Sequence, residues 1–464
     1  MAGHLAKRKR GDTIRWRARY PDPTRGDTAQ IERTFRTRRE AERWLTAQQS
    51  AIHQGTHIDP ATGGQHLGVV VDAWRSTWID LEPKTKAGYE SILNRHVLPR
   101  WRDARVGAVD APAIQTWINE LATHRHRETV TKIYNVLRLV MRYAVAMRYR
   151  SDDPCAAVKL PSSRKEPKRE MLFLTPAEVA SLADAITPRF RLVLYVSSYI
   201  GLRAGEVEAV RRKNVDLLHN RVSVVLALKD INTTSENIAE EDKGLIFGAP
   251  KNGETRVLVI PKFMKPMFEE QLAADEPPAD QGYPAVNDAG EFRWISDPTD
   301  PDRLLFTSTE GHPIRHTNFY RRHFKPAVKR RYCAACGAGV EADAERCPKE
   351  ACESDDLRYV LTPTKHGLRF HDLRHTCASI LIAHNAHPFS IKQQLGHKDI
   401  QTTFNRYGHL LPSAHDALGA SLDAAYEGST EPDNLTALSI SEAPATSHPA
   451  ATRNVGGKRL NSVS

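Results

Sequence analysis

Ile14, Trp16, Ala18 and Tyr20 alternate with Arg15, Arg17 and Arg19. A period of two gives a strand with one apolar and one arginine face. A Pro-Asp-Pro turn follows, residues 31 to 37 read as a returning strand, and residues 39 to 50 read as a helix. After HIDPATGGQ, which reads as a linker, the period becomes helical over residues 67 to 160. Trp74, Trp78 and Leu81 begin one helix, and Ile114, Trp117, Ile118 and Leu121 mark another. The longest, at about residues 129 to 149, buries a stripe of Ile133, Leu137, Val140 and Ala144. Its other side carries Lys132, Arg138, Arg142 and Arg148.

Residues 161 to 170, PSSRKEPKRE, have the composition of a flexible connector and set a domain boundary. Thr175 with Glu178 forms a capping box that opens the next domain, and Gly201 stops a helix ending near Ile200. Residues 214 to 218, 221 to 228, 244 to 250 and 256 to 260 read as short strands. Asn252-Gly253 predicts a hairpin with Lys251 at its tip. DINTTSENIAEED and residues 272 to 302 are acidic or Pro-rich, the character of loops facing away from a polyanion. A basic helix follows at residues 316 to 331.

Phe370, Leu373, Cys377 and Ile380 recur at helical steps, with His371, Arg374 and His375 on another face. Gly396 ends a short helix, and Gly408 ends the next one with Tyr407 on its last turn. The tail from residue 428 has few large apolar residues and is expected to be disordered.

These elements define a multidomain α+β protein. Residues 1 to 60 form a small sheet-and-helix domain, 67 to 160 a helical domain, and 171 to 427 a mixed, mainly helical domain. Residues 331 to 357 form an insertion within the last of these, and 428 to 464 the tail.

Charge narrows the partner. The 464 residues carry a formal net charge of +10, and residues 1 to 60 hold thirteen Lys or Arg against seven Asp or Glu. That surplus favours a nucleic-acid backbone, and an arginine-faced sheet against a helix suits a DNA groove. Arg15, Arg17 and Arg19, with Arg138 and Arg142 on the long helix, are the candidate DNA contacts; a merely solvated basic face is the competing reading. No apolar run is long enough to span a membrane, so the protein is expected in the cytoplasm.

Six cysteines do not form a disulfide framework, because Cys333, Cys336, Cys347 and Cys352 crowd into twenty residues. A CxxC pair, followed by Gly337 and Gly339, and a second pair ten residues on predict one structural Zn²⁺ in a small zinc-ribbon-like insertion. The second pair has four intervening residues, wider than the usual two. With Val340 as its main apolar residue, the insert cannot fold on a core of its own, and metal would supply the missing stability.

A Tyr accompanied by Arg and His, with no Ser or Cys nucleophile motif, points to attack on a phosphodiester by the phenolic oxygen. Guanidinium groups would hold the non-bridging oxygens in fork geometry and oppose the growing charge.

HDLRH followed by LGHKDIQTTFNRY resembles the tyrosine recombinases of the phage-integrase type, whose pattern is a His-x-x-Arg pair, a later His or Trp, and a Tyr about ten residues beyond. YIGLRAGE matches the family's first Arg box, and PKNGETRVLVIP matches its hairpin bearing a catalytic Lys. The resemblance covers about residues 67 to 425. It implies a core-binding domain at 67 to 160 and a tyrosine-recombinase catalytic domain at 171 to 427. It also implies a site-specific DNA recombinase, an integrase, working through a covalent 3′-phosphotyrosine on Tyr407. Arg203 and Arg374 would clamp the phosphate, and His371 and His397 would hydrogen-bond it and assist proton transfer. Lys251 would protonate the leaving 5′ oxygen, with Glu206 supporting the site from behind.

The family acts as a tetramer on double-stranded DNA attachment sites, with host or phage DNA-bending or directionality factors as possible helpers. Its chemistry needs no metal or nucleotide. Residues 1 to 60 resemble the arm-type DNA-binding domains of some phage integrases, whereas the cysteine insert departs from the family pattern. Two rivals stand beside this reading: a type IB topoisomerase-like relaxing enzyme, and a catalytically inactive DNA-binding regulator with the same fold.

Overall fold

A computed structural model describes residues 3–10, 13–23, 29–55, 57–58, 62, 64–162, 171–251, 253–274, 279–340, 344–352, 354–408, 422–423 and 426. Residues 163–170 of the expected connector, and the tail from residue 428, lie outside the described residues. The chain forms two compact units, divided between Asp399 and Ile400.

The N-terminal sheet has three antiparallel strands, β1 (His4–Arg10), β2 (Thr13–Pro21) and β3 (Gln30–Phe35), in the order β1-β2-β3. The first strand is not evident in the sequence, since HLAKRKR has almost no β-branched or aromatic residues. The apolar face of β2 is covered by the Arg38–His53 helix. Trp44 of that helix packs on Tyr20 and Phe35, and Ala18 and Tyr20 are buried. Arg15, Arg17 and Arg19 take the opposite face. Arg8 lies opposite Arg15, and Arg17 pairs with Glu32 at 3.1 Å.

Four helical segments build the next layer: Leu67–Arg75, residues 83–101, Ala111–His124 and Arg127–Ala146. Ile133, Leu137, Val140 and Ala144 are all buried, while Lys132, Arg138 and Arg142 are exposed. The first helix ends at Arg75, so Trp78 and Leu81 lie beyond it. Trp78 is still buried, edge-on to Trp74. Glu90 is fully buried among these helices, with the Arg75 guanidinium donating to it at 2.6 and 3.0 Å.

The acidic segment of the following domain docks on this layer. Ser235 and Asn237 donate to Glu90, Lys86 pairs with Asp242, and Lys229 pairs with Glu82.

The larger mixed region begins with the expected capping box at Thr175 and Glu178. Its core joins Leu182, Phe190, Leu194 and Ile200 to Val222, Leu258, Phe319, Phe324 and Leu373. Each such side chain is worth about 1.5–3 kcal/mol on full burial.

Two small sheets lie beside this core. One orders β4 (Val215–Asp216), β5 (Arg221–Val224) and β8 (Arg256–Val259). The other pairs β6 (Ala227–Ile231) with β7 (Gly244–Gly248). The single strand expected over residues 221 to 228 is therefore split between two sheets. The expected Asn252-Gly253 hairpin is also not one. A turn exists, with the Gly253 N–H on the Pro250 carbonyl, but β7 pairs with β6 and β8 with β5. Turn chemistry set the local reversal, and longer-range partners won the strands.

The hairpin β9 (Tyr283–Val286) and β10 (Phe292–Ile295) follows. The basic helix runs over residues 316–329 and leads into the cysteine insert, where β11 (Arg331–Cys333) lies between β12 (Gly339–Val340) and β13 (Leu357–Tyr359). No helix among the described residues is long and apolar enough to cross a membrane.

Candidate active site and cysteine centre

The Phe370–Ala383 helix is buried on more than its apolar stripe. Asp372, Arg374, His375 and Thr376 are buried with Leu373, Cys377 and Ala378, and of the three expected polar-face residues only His371 is exposed. Its ring stands edge-on to His375, with centroids 4.9 Å apart.

A buried guanidinium must have its donors met. Arg374 donates through Nη1 to the Gly201 carbonyl at 2.5 Å and through Nη2 to the Leu395 carbonyl. Those carbonyls belong to the two turns that matter most. One, with Gly201 in the left-handed region at φ +81°, leads into Arg203. The other, with Gly396 at φ +58°, ends the Pro388–Leu395 helix and leads into His397. Arg374 thus ties together two loops some two hundred residues apart in sequence.

Arg203 stands at the start of the short Ala204–Val207 helix. It donates to Glu206 at 2.7 Å and to the Gly396 carbonyl at 3.1 Å. Burial alone would raise the Glu206 carboxyl. Hydrogen bonding and charge from Arg256, with the charge of Arg203, outweigh it and hold the carboxyl at about 2. Arg203, Arg256, Gly396 and His397 line one open polar cleft of about 510 Å³.

Pro250 lines the same cleft, and the expected Lys251 is the next residue, exposed on its turn. Tyr407 belongs to the second unit, in the last turn of the Ile400–Tyr407 helix, where it is buried. Of the expected residues, the fold brings Arg203, Glu206, Arg374 and His397 together. Sequence reasoning missed Arg256, whose only local signal was the strand that carries it.

The four cysteines of the insert also converge. All their sulfurs lie within 4.8 Å of one another, with Cys333 3.6 Å from Cys352 and Cys336 3.5 Å from Cys347. Burial opposes ionisation of Cys333, but the Cys336 and Ala335 amides aimed at its sulfur bring the thiol down to about 6. The Lys349 amide favours the Cys347 thiolate, yet burial and the sulfurs of Cys336 and Cys333 push that thiol up to about 12. Four sulfurs this close ionise together only around a cation.

A mixed helical and small-sheet fold thus gathers two arginines on a polar cleft, an arrangement suited to holding a phosphate. Residues 172–413 match the family model "Phage integrase family", and residues 69–160 match "Phage integrase central domain". The chain belongs to the phage integrase family and is a site-specific recombinase that breaks and rejoins DNA strands.

The integrase of Mycobacterium phage D29 is 24% identical over 351 residues, 72% of this chain and 85% of that protein. The ICEBs1 integrase of Bacillus subtilis is 23% identical over 352 residues, 74% and 79% of the two chains. In fold the chain is similar to the Tn1549 transposon integrase solved with transposon right end DNA. The TM-score is 0.56 at 17% identity, covering 78% of this chain and all of that one.

Proposed function

We propose that this protein is an integrase whose nucleophile is Tyr407. The phenolic oxygen attacks the scissile phosphorus, the bond from phosphorus to the 5′ oxygen breaks, and a 3′-phosphotyrosine forms. Arg203 and Arg374 hold the phosphate oxygens, while His371 and His397 hydrogen-bond them and take the phenolic proton. Lys251 delivers a proton to the leaving 5′ oxygen. A 5′-hydroxyl from the partner duplex then reverses the step, so no metal or nucleotide enters the chemistry.

One observation carries this reading: Arg203 with Glu206, Arg374 and His397, from three separate motifs, meet around two turns, and Arg203 and His397 line one cleft. One rival loses ground on these residues and the other on the N-terminal sheet. An inactive regulator has no need of them, and a relaxing enzyme has no need of the arginine-faced sheet.

The substrate is double-stranded attachment-site DNA in the cytoplasm, bound by a tetramer, with accessory DNA-bending or directionality factors as further partners. Residues 1 to 60 act as the arm-type domain through Arg15, Arg17 and Arg19. Residues 67 to 160 form the core-binding domain, contacting the backbone through Arg138 and Arg142, and residues 171 to 427 form the catalytic domain. Cys333, Cys336, Cys347 and Cys352 hold one structural Zn²⁺ in a zinc-ribbon-like insertion, supported by their convergence.

The test is capture on nicked suicide substrates drawn from DNA flanking the protein's own gene. A protease-sensitive covalent protein–DNA adduct is expected, and its absence across that flanking DNA would overturn the proposal.

A further inference from the structure

Arg256 opens β8, five residues after Lys251, and touches both turns of the cleft. Its Nη1 and Nη2 donate to Glu206 Oε1 and Oε2 at 3.1 and 2.6 Å, a two-pronged fork. Arg203 donates to the same two oxygens, through Nη1 at 2.7 Å and its backbone N–H at 2.9 Å. The carboxylate is therefore held between two guanidinium groups, and its position sets the direction of Arg203. Arg256 also lies under the other turn. A Cβ built on Gly396 would sit 3.2 Å from its Cδ, Nε and Cζ, and the Gly396 carbonyl is the second acceptor of Arg203.

An Arg–Glu pair with 13% and 1% side-chain exposure is most often a structural brace. Here both contacts of the brace converge on one guanidinium, that of Arg203. We infer that Arg256 is a positioning residue for strand cleavage: through Glu206 and Gly396 it fixes the direction in which Arg203 meets the scissile phosphate. The inference rests on Arg203 belonging to the phosphate clamp.

Single-turnover cleavage of a nicked core site by the full chain, measured from pH 5.5 to 8.5, tests it with Arg256→Met and Arg256→Lys. Arg256→Met should bind core DNA as the wild type does and cleave about 10–100-fold more slowly, the usual loss when a supporting residue behind a site is removed. Loss of Arg256 leaves Arg203 as the remaining charged group set against the buried carboxyl, which then titrates at higher pH. Protonation frees an oxygen from Arg203, so the wild-type to variant rate ratio should widen as pH falls. Arg256→Lys keeps the charge and one hydrogen bond, and should recover part of the rate with a narrower ratio.

If Arg256→Met does not fold, Arg256→Lys alone carries the test. A wild-type rate and pH profile in the folded variant would overturn the inference, and so would a loss matched in full by lost melting temperature. A wild-type adduct that Arg203→Ala leaves untouched removes the clamp itself, a different failure.

Discussion

The Arg203 guanidinium reaches the Gly396 carbonyl at 3.1 Å, so the arginine of the first arginine motif is bonded directly to the turn that presents His397. Arg374 bonds the residue two positions before each of Arg203 and His397, through the carbonyls of Gly201 and Leu395. Both arginines join the loops by bonds to carbonyls, but Arg374 is buried and Arg203 partly exposed, which separates their structural roles.

That separation predicts different outcomes at the two arginines. Arg203→Ala and Arg374→Ala should each slow cleavage by about 10²–10³, the usual loss for one oxyanion donor. Arg374→Ala should also lower the melting temperature, because each orphaned buried carbonyl costs about 1–3 kcal/mol. Arg203 is partly exposed and should cost less. Cleavage within tenfold of wild type in either variant would remove that arginine from the clamp.

Gly396→Ala meets both backbone strain and a neighbour. The left-handed φ of +58° disfavours any Cβ, and the space is already filled by Arg256. A stability loss of about 1–3 kcal/mol is expected, with slowed cleavage. Denaturant unfolding checks the first and single-turnover cleavage the second, and a neutral substitution would mean that the turn is laxer than described.

Elemental analysis of protein purified without chelator should find about one zinc per chain, lost in the Cys333→Ser/Cys336→Ser double variant. Loss of metal should loosen residues 331 to 357 first, since among the described residues Val340 is the one large aliphatic residue buried in the insert's own cluster. Metal-free protein with an ordered insert would contradict the assignment.

Deleting residues 1 to 60 removes thirteen of the cationic side chains. Core-site cleavage should persist while recombination that needs accessory sites is lost, and the salt dependence of binding should flatten. Unchanged footprints on long attachment-site DNA would refute an arm-site role.

Much of this was legible in the chain. The stripe Ile133, Leu137, Val140 and Ala144 is buried as its spacing requires, and Thr175 with Glu178 caps its helix. The cysteine spacing pointed to a cluster that the fold does form. What stayed hidden depended on distant partners. β1 is too basic to read as a strand, β7 and β8 flank a turn yet join different sheets, and Glu90 looks like a solvated helix acid but is buried under Arg75. Arg256 reads as an edge charge until Glu206 is placed beside it.

The most direct measurement is covalent capture with Tyr407→Phe on a suicide core-site substrate. The substitution removes one oxygen from the proposed nucleophile. The account predicts DNA binding equal to wild type and no protease-sensitive adduct. An adduct that survives in Tyr407→Phe would contradict it, since another residue would then be the nucleophile.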